Sequence, residues 1–302
     1  MFFGFEQVVV RYVAALPGVR DAAVLTEEAV ELDYEGPLEP LLRLRVADGV
    51  FRMLGVFLSS HSLDKMMQNL ASQVELSSWN RDGKIPNDAR DKRFCLTIEL
   101  DPTLGVSYSD FRSEVTWMLQ ATLGARPGPS GIGTPIHLTV GSEAGWVGVG
   151  CTEQSLGVTE DSFESSLPST VAAGMVLWAG IRPDDVFLDP LCASGEILIE
   201  RANAGPVGAL LAGDVELGSL KAHRPHLSED RACVCRWDPR RLPLKHNSVD
   251  VIVTSLPFGN KTGDVQISRS LYRSMIREII RLLKPTGRAL LLAVENQLLA
   301  EL

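Results

Sequence analysis

Three carboxylates and one turn, spread between Val186 and Gly259, carry the chemistry that can be read from this chain. Asp189 closes the apolar run V-F-L-D. Asp214 follows the run Val207 to Ala212, Asp238 ends R-W-D, and Ser255-Leu256-Pro257-Phe258 follows V-D-V-I-V-T. A carboxylate at a strand end can accept from both hydroxyls of a ribose, which suits Asp214. Asp238 is placed to accept from an adenine amino group. Gly195 lets the backbone pass close to a ligand before a helix starts at Glu196. The rigid turn at Pro257 aims carbonyls and the Phe258 ring at one point, an arrangement for a flat base whose exocyclic amine needs acceptors.

The elements that must position these groups follow from their spacing. Short apolar runs ending in an acid, a glycine or a tight turn alternate with helical patterns, the signature of a parallel sheet with crossover helices. Ligands of such sheets sit at the carboxyl ends of the strands, where these acids fall. A dinucleotide-binding oxidoreductase would need G-x-G-x-x-G, and Cys192 to Leu198 offers Gly195 alone. The plain alternative is an ordinary doubly wound sheet whose strand-end acids cap helices.

The order and spacing resemble class I S-adenosylmethionine-dependent methyltransferases. Within them, D-P-L-C-A-S-G (Asp189 to Gly195) with T-S-L-P-F-G (Thr254 to Gly259) resembles the THUMP-domain RNA methyltransferases that act on the N2 amine of guanine. The resemblance implies that Asp189, Pro190, Cys192, Ala193 and Gly195 cradle the methionine part of S-adenosyl-L-methionine. It implies that Asp214 meets the ribose, Asp238 the adenine, and Ser255, Leu256, Pro257 and Phe258 the target base. Two positions depart from the pattern: Ser255 stands where the family has Asp or Asn, and Ala193 where it usually has Gly.

Composition sets the frame. The chain has 302 residues, 45% hydrophobic and 22% charged, and a net charge of −9. This fits a soluble, multi-domain globular chain and argues mildly against a broad nucleic-acid surface. The start has no basic n-region, and the apolar runs are too short for a bilayer, so the expected setting is the cytoplasm, with no membrane. Cys233 and Cys235 share one side of a strand, with His223 and His226 nearby in sequence. A zinc site is conceivable there, but the spacing matches no standard pattern and buried thiols usually just pack, so the expected metal content is none.

Residues 1–58 read as a small ferredoxin-like α+β domain: helix Phe5 to Leu16, strands Ala22 to Leu25 and Ala29 to Leu32, helix Leu38 to Val46, strand Phe51 to Leu58. Residues 59–155 resemble a THUMP domain, with helix His61 to Val74, strand Phe94 to Leu100, helix Tyr108 to Leu123 and a hairpin over Ile136 to Gly150. Between Asp101 and Gly150 its basic residues are Arg112 and Arg126 alone. Residues 156–167 read as an acidic, Ser-rich linker. Residues 168–302 read as a doubly wound Rossmann-like methyltransferase domain, opening on a helix whose Trp178 is expected in the core.

A helix over Ser268 to Leu283 places Leu271, Met275, Ile279 and Leu282 on one face, broadened by Ile276, Ile280 and Leu283. Arg269, Arg273, Arg277 and Arg281 recur along it as a stripe suited to phosphates. A fifth strand, Ala289 to Val294, comes eight residues before the end, where the family adds further strands. The domain therefore reads as C-terminally truncated, with an edge that a protein partner or dimer would cover. The expectation is an RNA (guanine-N2) methyltransferase using S-adenosyl-L-methionine on tRNA. The alternative is a catalytically decayed RNA-binding or partner-scaffold protein on the same fold.

Overall fold

The computed structural model describes residues 5–26, 29–76, 93–129, 132–151, 167–216, 232–256 and 265–293, with side chains from residue 270 in the last segment. Contacts divide the chain into two units. One comprises Met1–Pro37, Leu44–Asp48 and Gly157–Leu302, the other Leu38–Arg43 and Gly49–Leu156.

The chain opens with helix α1 (Glu6–Ala14), which buries Val8, Val9 and Val13 along one side. Strands β1 (Val19–Thr26) and β2 (Ala29–Tyr34) follow as an antiparallel pair that forms its own two-stranded sheet. Helix α2 is only Glu39–Leu42. The longer helix expected to Val46 stops early. Leu44 and Val46 are buried outside it, and Arg45 between them forks onto Glu200 through Nε–Oε2 and Nη2–Oε1 bonds of 2.6 Å each. That pair ties residues 44–48 to the unit that holds residue 200.

Among the described residues, the second unit holds a five-stranded sheet together with α2 and two longer helices. Its strands are β3 (Phe51–Leu58), β4 (Arg93–Leu100), β5 (Arg126–Pro127), β6 (Thr134–Val140) and β7 (Ala144–Gly150), in the order β3-β7-β6-β4-β5. β3 pairs with β7. It therefore belongs to this sheet and not, as the sequence suggested, to a layer ending at residue 58. Along β4 the alternate residues Phe94, Leu96 and Ile98 are buried, the period-2 pattern of a half-covered strand. Helices α3 (Leu63–Gln73) and α4 (Tyr108–Leu123) belong to the same unit. α4 buries Phe111, Val115 and Leu119 at helical spacing, starts where Ser107 accepts from the Asp110 N–H, and stops at Gly124, whose φ of 60° is one glycine adopts without strain.

The first unit resumes with α5 (Ser169–Trp178), which is buried continuously from Thr170 to Val176. Gly174 leaves room for Phe5, whose ring a Cβ would meet at 2.9 Å. Trp178 is not core: it is 51% exposed and touches Phe5 edge-on. Then come β8 (Val186–Asp189), α6 (Glu196–Asn203), β9 (Ala209–Asp214), β10 (Ala232–Arg236), β11 (Val249–Ser255), α7 (Val265–Leu282) and β12 (Leu283–Leu292). The strands form a sheet in the order β10-β9-β8-β11-β12, and every pairing is parallel. This is a Rossmann-like order, reversing between β8 and β11.

The last strand starts earlier than expected. Its register against β11 jumps from Val249↔Leu283 to Val251↔Arg288, so the K-P-T-G stretch is accommodated as an irregularity within the strand. β12 stands at one edge of the sheet among the described residues. Arg288 holds it to the segment leading into β8, with bonds to the Ala179 and Gly180 carbonyls and to Asp185.

Candidate functional site

The sheet brings four of the sequence-derived positions to one end. Asp189 ends β8, Asp214 ends β9, Asp238 lies two residues beyond β10, and Ser255 ends β11. Because the strands are parallel, these ends share the carboxyl edge of the sheet. Asp189 and Ser255 belong to the two strands between which the strand order reverses.

The connection after β8 is built by local hydrogen bonds. Leu191 N–H donates to Asp189 Oδ1 at 3.2 Å. Gly195 N–H donates to the Cys192 carbonyl at 2.7 Å. Gly195, at φ 95°, leads directly into α6. Ala193 is exposed and also left-handed, at φ 42°. An L-residue with a Cβ pays for that conformation. The arrangement is held across the strands: Ala193 N–H donates to Asp214 Oδ2 at 3.1 Å and Cys192 N–H to the Gly213 carbonyl at 3.1 Å.

The electrostatics differ at each acid. Asp189 is 1% exposed. Burial lifts its carboxyl to about 7; the Thr254 hydroxyl and the Leu191 N–H oppose the rise, and the nearby Asp214 and Glu196 add to it. Thr254 lies close enough to Asp189 to act on it, yet its buried Oγ1 has no hydrogen bond of good geometry. Asp214 is half-buried and accepts from the Ala193 and Glu216 amides, which leaves lone pairs on both oxygens. Asp238 is gripped by Arg240 through Nε and Nη2, the latter at 2.6 Å, and this pairing holds its carboxyl below the usual range. Any adenine contact at Asp238 shares the carboxylate with Arg240. Burial pushes the Cys192 thiol well up, so it stays protonated and packs.

Sequence reasoning passed over Trp237. Its ring is 8% exposed, and its Nε1–H donates to the Pro190 carbonyl at 3.0 Å. Its own N–H donates to the Asp214 carbonyl at 3.2 Å. It packs so closely on Gly213 that a Cβ there would lie 2.4 Å from the ring and 2.1 Å from the Cys235 carbonyl. One indole thus locks the ends of three neighbouring strands; its signal in the sequence is an aromatic residue immediately before a strand-end acid.

Leu256 is buried and its N–H is bonded to the Leu292 carbonyl at 2.8 Å. Pro257 and Phe258 lie outside the described residues, as do His223 and His226. On α7, the Arg269 side chain is likewise outside the description. Arg273 and Arg277 are exposed. Arg281 is not part of that surface: it bonds Glu278 and the carbonyls of Leu242 and Leu244, clamping α7 to the loop before β11. Ile280, expected on the apolar face, is 68% exposed.

The donor set fits S-adenosylmethionine. Its carboxylates suit a cation and ribose hydroxyls, and Asp189 has no cationic partner of its own among the described residues.

Residues 157–213 and 215–302 match the family model of the RMKL-like methyltransferase domain UPF0020. The tRNA (guanine(6)-N(2))-methyltransferase THUMP3 of Bos taurus is 32% identical over 174 residues, 51% of this chain and 34% of that protein. The tRNA (guanine(6)-N2)-methyltransferase of Thermus thermophilus is 31% identical over 170 residues, 54% of this chain and 51% of that protein. The chain thus matches between about a third and a half of these relatives' lengths. Among solved structures, TrmN from Thermus thermophilus superposes with a TM-score of 0.76 over 99% of this chain and 88% of its own, at 23% identity. That likeness establishes the shared fold. Among the described residues no helix is long and apolar enough to cross a membrane.

Proposed function

We propose that this chain is an S-adenosyl-L-methionine-dependent RNA methyltransferase that methylates the N2 amine of a guanine in tRNA. The observation that carries the reading is the juxtaposition, at the reversal of strand order, of the buried Asp189 with the Ser255–Leu256 strand end. The methyltransferase-domain match over the same residues and the relatives' described activity on tRNA guanine support it.

The cofactor supplies an electrophilic methyl group. The chain's residues do the rest by holding and orienting. The loop from Pro190 to Gly195 and the acids Asp189, Asp214 and Asp238 hold the cofactor. The guanine amine is a weak nucleophile because its lone pair conjugates with the ring. Ser255 Oγ and the Leu256 carbonyl accept its hydrogens, draw them out of the ring plane and free that lone pair. Positioning supplies most of the remaining rate. Pro257 and Phe258 complete the base platform in this reading. Residues 59–155 act as the THUMP-like RNA-binding region, and Arg273 and Arg277 meet phosphates.

Ser255 in place of Asp or Asn favours a second reading, a non-catalytic RNA-binding scaffold on the same fold. One experiment separates the two. Purified protein is incubated with tRNA and methyl-labelled cofactor, and the nucleosides are analysed by mass spectrometry. N2-methylguanosine above the no-enzyme control supports the enzyme; RNA binding without any methylated nucleoside supports the scaffold; absence of saturable cofactor binding defeats the enzymatic reading outright.

A further inference from the structure

The methyl-transfer reading leaves one side-chain cluster unused. Cys233 and Cys235 sit two apart on β10, so both side chains leave the same face of the strand. β10 is held in continuous parallel register with β9, from Ala232↔Leu210 to Arg236↔Asp214, and lies at the outer edge of its sheet among the described residues. Both thiols are exposed, and their sulfurs are 3.8 Å apart. The other cysteines differ: Cys192 is buried, while Cys95 and Cys151 are partly buried. The sequence reading expected thiols that merely pack; this pair does not.

We propose that Cys233 and Cys235 form a two-thiolate site for a soft divalent d10 cation, of which zinc is the type. Zinc binds thiolate sulfur at about 2.3 Å in tetrahedral geometry, which sets two sulfur ligands about 3.8 Å apart. The pair already has that separation, so the strand needs no rearrangement to chelate the ion. A disulfide, by contrast, would require the sulfurs to close to about 2.05 Å. The ladder to β9 fixes the spacing. Each bound ion converts two thiols to thiolates and releases two protons to solvent. Among the described residues no third His, Cys, Asp or Glu joins the pair; the proposal assigns the remaining positions to water.

The test uses the reduced full chain, Zn(II) alone, and Cd(II) alone as a spectroscopic stand-in. The expected result is one ion per chain, a thiolate-to-cadmium charge-transfer band, and two protons released per ion. Cys233→Ser or Cys235→Ser lowers the affinity about a hundredfold, because the second thiolate acts at high effective concentration. The double variant loses the band, while Cys151→Ser retains it. A variant-free arm accompanies these: Zn(II) protects Cys233 and Cys235 from iodoacetamide, read by peptide mass spectrometry, while Cys151 alkylates at its original rate. Equal binding by the double variant, or no protection of the pair in the parent protein, overturns the proposal.

Discussion

The Trp237 indole N–H donates to the Pro190 main-chain carbonyl at 3.0 Å, joining the residue before one strand-end acid to the residue after another. Pro190 follows Asp189 and Trp237 precedes Asp238, so the bond fixes the distance between two ends of the candidate cofactor site. Trp237→Phe keeps most of the ring and removes the donor. It should cost about 1–2 kcal/mol of stability and weaken S-adenosylhomocysteine binding. Calorimetric titration beside a thermal melt checks both. A variant that melts lower but binds with the parent's affinity would make Trp237 a packing residue only.

Asp189 makes stability depend on pH. Its folded carboxyl titrates at about 7, raised from an ordinary 3.8. A carboxyl raised on folding binds more protons in the native state, so stability is lost as pH climbs through this interval and levels off above it. The loss is on the order of a few kcal/mol, at about 1.4 kcal/mol per unit. Asp189→Asn should flatten that decline. Urea midpoints measured from pH 5 to pH 8 in parent and variant decide the matter, and parallel slopes would place the titration elsewhere.

The arginines of α7 should separate into two classes. Arg281→Ala removes three side-chain bonding partners and leaves Glu278, 14% exposed, without its cation. A loss of about 2–4 kcal/mol in stability is expected. Arg273→Ala and Arg277→Ala should leave the melting temperature unchanged and each reduce the salt slope of tRNA binding by about one. Fluorescence anisotropy at several salt concentrations reads that slope; an unchanged slope in both would return these two arginines to ordinary solvated surface.

Much of the parallel-sheet unit was legible because each of its strands is a short apolar run closed by an informative residue. Asp189, Asp214 and Ser255 could be placed at strand ends without knowing the strand order. What depended on that order was not legible. Cys233 and Cys235 looked like packing thiols, whereas β10 is an edge strand among the described residues and both thiols are exposed. Arg281 looked like part of a surface stripe, yet its partner carbonyl at Leu242 is 39 residues away. β3 looked local to the N-terminal layer, whereas its ladder is made with β7. Trp178 carried a core-like residue type, but continuous burial along α5 fades at its last turn, where Trp178 meets Phe5.

Ala193 offers a stability gain. Its φ of 42° costs an L-residue about 1–2 kcal/mol, and glycine relieves this while adding about 0.4–1 kcal/mol of unfolded-state freedom. Ala193→Gly should therefore stabilise the chain by up to about 1 kcal/mol. The amide that donates to Asp214 Oδ2 is kept. The thermal melt is the check, and a lower midpoint would mean that the Ala193 methyl makes a contact worth more than the strain.

In the proposed methyl transfer, Ser255 is where residue chemistry bears most directly on rate. Its backbone is fixed by pairing with Leu292, so substitution alters the acceptor and leaves the strand in place. A hydroxyl gives the target amine a neutral acceptor; a carboxylate gives a charge-assisted bond roughly twice as strong. If the added strength, about 1–2 kcal/mol, is realised only as the amine becomes tetrahedral, Ser255→Asp raises the chemical step about tenfold. Ser255→Ala should lower it, since the same acceptor is then missing. Single-turnover methylation of tRNA at saturating cofactor compares the three proteins. A rise for Asp with a fall for Ala identifies Ser255 as the amine acceptor. Equal rates in all three would mean that the amine is held by main-chain carbonyls alone, with the residue-255 side chain outside the reaction.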